Sequence, residues 1–147
     1  MNIYRMHRAT RPAADYRGAM LAGGRWNPIG IPMLYTAEHL SLACLEVLVH
    51  LDKSQLPRDY VWSKAELPGS ADLFRTAIPA EVTACQIAGE RWVEREQLAI
   101  RAPSIIVPEE FNILVNPNHT GYAALAWSEA RPFQFDRRLF ASEPRVM

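Results

Sequence analysis

Cysteine, net charge and long apolar runs are all scarce in this sequence, and each scarcity removes a class of protein. The only cysteines, Cys44 and Cys85, sit among apolar neighbours and read as buried thiols. That excludes a disulfide framework and leaves no Cys/His cluster to hold a metal. The 16 basic and 16 acidic side chains cancel, so no net field draws the chain to nucleic acid or to an anionic membrane. No uninterrupted apolar run approaches the ~18 residues of a membrane span. The opening MNIYRMHRATRP lacks the hydrophobic centre of a signal peptide. The expectation is a soluble cytoplasmic protein with no membrane partner and no direct nucleic-acid partner. Internal repeats, low-complexity tracts and long linkers are missing too, so residues 1–147 are expected to form one compact domain.

What is present suits a packed core: 49% of residues are hydrophobic and 22% charged. Short segments separated by proline-rich joints imply an α+β fold. Strands are expected at 3–6, 33–37, 59–67, 104–108 and 111–116, with a closing edge strand at 133–136. Helices are expected at 13–22, stopped by Gly23 and Gly24, and at 38–51 with Thr36 as a candidate N-cap. Spacing of Trp92, Val93, Gln97 and Ile100 predicts a further helix over 89–100, and GYAALAWSEA another over 121–130.

The 38–51 helix is apolar nearly all round, with a narrow stripe of His39, Glu46 and His50. An ionised glutamate inside such a helix must be paired, hydrated or protonated, because leaving it bare costs several kcal/mol. Pattern leaves two environments open. Either the stripe faces water and Glu46 pairs with His50 or Lys53, or the carboxylate lines a cleft.

Upstream, Arg25 follows Gly23-Gly24 and precedes Trp26-Asn27-Pro28. Glycines let backbone approach a ligand closely, and an arginine fork suits phosphate or carboxylate oxygens. The turn is neither a Walker A loop nor a dinucleotide fingerprint. Taken by itself, an arginine in a turn is more often structural or merely exposed.

In order along the chain, these pieces resemble the RES family, the toxin half of RES–Xre toxin–antitoxin pairs. Its members carry Gly-x-Arg-Trp-Asn-x-x-Gly, then Leu-Tyr-x-Ala, then an alanine/leucine-rich helix with a glutamate. Here these are Gly23 to Gly30, Leu34 to Ala37, and Glu46 within LACLEVLVHL. The opening IYRM with Arg5, the segment APSIIVPEEFNILVNPNH and the closing PFQFDRRLF agree with the family as well. Where members commonly continue Asn-Pro-x-His-Pro-Asp/Glu, this chain reads Asn116-Pro117-Asn118-His119-Thr120-Gly121.

The resemblance implies a fold like that of the ADP-ribosyltransferase toxins, with small twisted sheets flanked by helices, and an attack on NAD as substrate, with no separate cofactor and no metal. It maps the family's arginine, glutamate and serine to Arg25, Glu46 and Ser104. Cleaving the nicotinamide–ribose bond passes through an oxocarbenium-like state, by analogy with glycoside cleavage. That chemistry assigns Arg25 to the pyrophosphate, Tyr35 to stacking on nicotinamide and Glu46 to the ribose. Arg5, Asn27, Ser104, Asn116 and His119 are further substrate-binding candidates, Ser104 also as a residue that positions Glu46. The acceptor of ADP-ribose is water, inorganic phosphate or a target protein, and the implied partner is an Xre-type antitoxin. A ribonuclease toxin and a non-catalytic interaction module are the competing classes; the balanced charge speaks against the first.

Overall fold

A computed structural model describes residues 1–69, 71–73, 78–95 and 97–141. Its strands are β1 (Asn2–Arg8), β2 (Leu34–Ala37), β3 (Tyr60–Glu66), β4 (Asp72–Leu73), β5 (Ala99–Pro103), β6 (Phe111–Val115) and β7 (Arg131–Pro132). Its helices are α1 (Arg17–Ala22), α2 (Leu40–Leu48) and α3 (Val82–Glu94). The strands join in one sheet of order β4-β5-β6-β2-β1-β3-β7, antiparallel except for the parallel β4–β5 pair. The architecture is α+β, as the segment pattern implies.

Register assigns side chains to the two faces. Tyr4 stands opposite Ala37, Tyr35 opposite Leu114, and Asn112 opposite both Ala37 and Ala102. Directly opposed residues of antiparallel strands project to the same side, so all of these share one face. α2 packs there through Leu42, Ala43 and Leu48 onto Met6 and Ala37, and α3 through Cys85, Trp92 and Val93 onto Met33, Ile100 and Leu114. The alternate residues Ile3, Leu34, Ile113 and Val115 form the core of the other face, with Tyr16, Tyr122 and Trp127 packed against them. Each of those four aliphatic side chains is fully buried, which stabilises the fold by about 1.5–3 kcal/mol apiece.

Several elements differ from the sequence expectation. Thr36 does not cap α2: it lies in β2, where its hydroxyl donates to the Ile113 carbonyl at 2.8 Å. The N-cap is His39, which makes no side-chain capping bond. α2 is also less enclosed than its composition suggests, with Leu45 39% and the C-cap Val49 59% exposed. α3 starts before the predicted helix and ends before it, because Gly89 lies inside the helix rather than at its start. The β-branched run 104–108 is a turn, and the strand is the preceding Ala99–Pro103. Only Tyr122–Ala124 of the predicted 121–130 helix is helical, as a single 3-10 turn. The edge strand falls at Arg131–Pro132, while Phe135 of the predicted 133–136 strand is a core residue, 2% exposed. No helix among the described residues is long and apolar enough to cross a membrane.

Candidate active site

Glu46 reaches the sheet from α2 over a row of small side chains. Ala37 and Ala102 flank Asn112 on neighbouring strands, and both alanines are buried. Their lack of bulk leaves room for a carboxylate to descend onto Asn112. Asn112 Nδ2 donates to Glu46 Oε1 at 2.9 Å, and Ser104 Oγ donates to the same oxygen at 2.9 Å. Ser104, 1% exposed, also accepts from the backbone N–H of Ile106 at 3.0 Å and of Val107 at 3.1 Å. The hydroxyl is thereby locked by the turn that joins β5 to β6.

No cation pairs with Glu46 among the described residues. His50 is exposed, and the Lys53 ammonium instead donates to the carbonyls of Leu48 and Leu51, capping the end of α2. Both hydrogen bonds to the carboxylate end on Oε1, so among the described residues Oε2 is uncommitted. The pairing with His50 or Lys53 is not made, and the half-buried Glu46 is held instead by two neutral donors.

The arginine turn packs on the same face of the sheet, through Tyr35. Tyr35, two residues before Ala37 on β2, receives the Trp26 N–H at 3.0 Å and donates its hydroxyl to Asn27 Oδ1 at 2.5 Å. Asn27 is fully buried, and its amide donates to the carbonyls of Ala19 at 2.9 Å and Ile31 at 3.0 Å. Gln86 of α3 donates to the Gly24 carbonyl at 2.9 Å, so the helix also holds the turn. A Cβ at Gly24 would lie 2.6 Å from the Tyr35 hydroxyl oxygen, so a larger residue there would have to displace that hydroxyl. Burial pushes the Tyr35 phenol up to about 12, countered by its bonds to the turn and by the nearby Arg25 charge.

Arg25 itself is half-buried, and its contact with Cys85 is long, Nη1 to Sγ 3.9 Å. Among the described residues no carboxylate forms an ion pair with it. A guanidinium without an anion and a carboxylate without a cation, on one face of the sheet, suit a ligand that carries negative charge at one end and develops positive charge at the other. Among the described residues no group of His, Cys, Asp or Glu is arranged to hold a metal ion.

The structure thus places two clusters on one face of the sheet, Arg25 with Tyr35 over the buried support of Asn27, and Glu46 with Ser104 and Asn112. It does not bring Arg5 there. Arg5 projects from the other face of the sheet, where it donates to the Ala13 carbonyl at 2.6 Å. Burial lowers its guanidinium from the ordinary value, countered by Tyr122 and Asp15. Asn116, 1% exposed, ties the end of β6 to the end of α3 by donating to Val93 O at 3.1 Å and Gln97 O at 3.2 Å. His119 Nδ1 accepts from the Gly121 N–H at 2.8 Å and organises its own loop.

Sequence reasoning passed over Asn112, Gln86 and Cys85. For Asn112 a signal existed, since asparagine is depleted in strands and this one interrupts the apolar run of FNILV. Gln86 and Cys85 carried none, because only the packing of α3 brings them to the turn.

Comparison with known proteins bears on the family and the fold. The model of the RES domain matches residues 2–136. The "Prs ADP-ribosylating toxin" of a Sphingobium species is 35% identical over 135 residues, covering 83% of each chain. A "Toxin Res" of Yersinia enterocolitica is 35% identical over 133 residues, covering 83% of this chain and 87% of that one. In structure, a chain of the M. tuberculosis MbcT–MbcA toxin–antitoxin complex superposes with a TM-score of 0.67 at 16% identity, over 90% of this chain and 84% of that one. By the match along nearly its whole described length, this chain belongs to the RES-domain family.

Proposed function

We propose that this protein is the toxin of a toxin–antitoxin pair and that it cleaves the nicotinamide–ribose bond of NAD. The observation that carries the reading is the pair of uncompensated charges on one sheet face, Arg25 without an anion and Glu46 without a cation among the described residues. Arg25 binds the pyrophosphate by charge-assisted bonds. The Tyr35 ring bounds the nicotinamide site, its hydroxyl being committed to the turn. Glu46 Oε2 accepts a ribose hydroxyl and stabilises the positive charge that grows at the anomeric carbon as nicotinamide leaves with the bonding electrons. A carboxylate in a half-buried site acts more strongly on that charge than one in bulk water. Water then adds at the anomeric carbon and loses a proton, giving ADP-ribose; phosphate in its place gives the corresponding sugar phosphate.

A second reading has a specific observation behind it. The Sphingobium relative is named an ADP-ribosylating toxin, and the same site would transfer ADP-ribose to a protein side chain if a nucleophile of a target took the place of water. An antitoxin partner fits the structural neighbour, which comes from a toxin–antitoxin complex. We assign that partner to the Xre type and place its blocking segment over the Arg25–Glu46 face.

The test is nicotinamide released from NAD by the purified protein, with and without phosphate, alongside Glu46→Gln and Arg25→Ala. Release that both variants abolish supports NAD cleavage at this site, and stimulation by phosphate identifies phosphorolysis. A folded protein that releases none overturns it. An added ADP-ribose on a protein, seen by mass spectrometry, would establish the second reading.

A further inference from the structure

We propose that Asn112 is a positioning residue for Glu46, holding Oε1 together with Ser104 so that Oε2 is the oxygen presented to the substrate. The inference rests on the reading of Glu46 as the carboxylate beside the ribose. It concerns a residue outside the arginine, glutamate and serine that give the family its motif.

Three observations carry it. First, Asn112 Nδ2 and Ser104 Oγ converge on a single oxygen of Glu46, each at 2.9 Å. A carboxylate on the side of a helix has free rotation about its last bonds, and two donors on one oxygen remove that freedom. Second, the register leaves Asn112 between Ala37 and Ala102. Neither strand neighbour has a polar side chain, and among the described residues Glu46 is the hydrogen-bond partner of the amide. Third, Asn112 Oδ1 is buried and, among the described residues, without a hydrogen-bond partner. A strand position that tolerates an unpaired buried carbonyl is poorly explained by packing, because a leucine of similar volume would avoid the penalty. The amide is retained for its other end, the Nδ2 that donates to Glu46.

Ser104 and Asn112 differ in what else they do. Ser104 is also the acceptor for two backbone N–H groups of its turn, so its loss disturbs the loop as well as the carboxylate. Asn112 makes its side-chain bond to Glu46 and none to the backbone among the described residues, which makes it the cleaner probe of positioning.

The experiment compares the unaltered protein with Asn112→Ala and Asn112→Asp in NAD cleavage across pH. Loss of one hydrogen bond to a charged group predicts a fall in kcat of about 10- to 100-fold in Asn112→Ala, with KM nearly unchanged. Asn112→Asp sets a second carboxylate against Glu46, and two so close cannot both ionise readily. The acid limb of its kcat profile therefore moves to higher pH by about one unit or more. A merely structural asparagine would leave the kcat–KM split of Asn112→Ala unmoved, whereas the pH limb of Asn112→Asp reports that position 112 faces the working carboxylate. Wild-type rates and an unmoved acid limb in both variants overturn the proposal, as does a loss confined to KM.

If the unaltered protein releases no nicotinamide, the NAD reading fails by itself. The bond is then judged by a folding cycle of Asn112→Ala, Glu46→Ala and the double variant. Coupling of about fivefold or more in the folding equilibrium upholds the Asn112–Glu46 link, and additive effects overturn it.

Discussion

Gly89 of α3 lies directly against the carbonyl of Trp26, so closely that any Cβ at position 89 would overlap that oxygen. The arginine turn is therefore seated on the helix by backbone contact, and the adjacent Gln86 bond to Gly24 O fixes its rotation. Gly89→Ala sets two effects against each other. Alanine gains about 1 kcal/mol of helix propensity over glycine. The overlap is with backbone, which has no rotamer to give, and overpacking of this kind costs about 1–3 kcal/mol. The clash should win, lowering the melting temperature and displacing Arg25. Thermal unfolding together with NAD cleavage checks this, and a variant more stable than the parent with full activity would refute the seating.

Tyr35→Phe removes the hydroxyl that joins Trp26 N to Asn27 Oδ1. Asn27 is fully buried, so an acceptor left without its donor should cost about 1–3 kcal/mol at neutral pH. The ring remains, and the variant should keep more activity than Tyr35→Ala. Alkaline stability supplies an independent check. The folded phenol titrates at about 12 against an ordinary 10.0, chiefly through burial. The folded state thus holds the proton that the unfolded chain releases. Stability is unaffected below pH about 10 and falls as pH rises from about 10 to about 12, by roughly 2–3 kcal/mol at most. Tyr122, also pushed up to about 12 by burial, adds a loss of the same sign. Denaturant unfolding across that window should show a shallower fall in Tyr35→Phe than in the parent.

The part of the fold that could be read from the sequence is the part fixed by local pattern. The strand LYTA, the apolar run of α2 and the strand FNILV each declare themselves within a few residues. α3 does not, because Gly89 looks like a helix boundary, and its reason for being inside a helix is a carbonyl 63 residues away in the chain. Ile105 and Ile106 suggested a strand, yet they are 49% and 36% exposed in a turn, while the paired strand is the less conspicuous AIRAP. At the site, the motif residues were legible as identities and Glu46 as an anomaly. Which donors would meet Glu46 was not, since Ser104 and Asn112 reach it from 58 and 66 residues away.

Ser104→Ala separates support of the carboxylate from support of the turn. The substitution strips one donor from Glu46 and leaves the Ile106 and Val107 N–H groups without their acceptor. A destabilisation of about 1–3 kcal/mol is expected, with a fall in kcat of about tenfold or more. Denaturant unfolding and steady-state kinetics on the same preparation would measure both. A variant that loses activity with no loss of stability would show that the hydroxyl acts on Glu46 or substrate alone.

Arg5→Met tests whether every family arginine belongs to the substrate site. Arg5 and Arg25 lie on opposite faces of the sheet, and Arg5 is spent on the Ala13 carbonyl at 2.6 Å. Methionine retains much of the apolar stem but not the bond, so stability should fall by about 1–3 kcal/mol. Below the melting temperature of the variant, kcat/KM for NAD should stay within about twofold of the parent. Arg25→Ala should do the opposite, leaving the fold nearly intact and raising KM, because its guanidinium makes only a long contact to Cys85. Should Arg5→Met instead raise KM at unchanged stability, the pyrophosphate would have to be reached from the other side of β1, and the assignment of the anchor to Arg25 alone would fall.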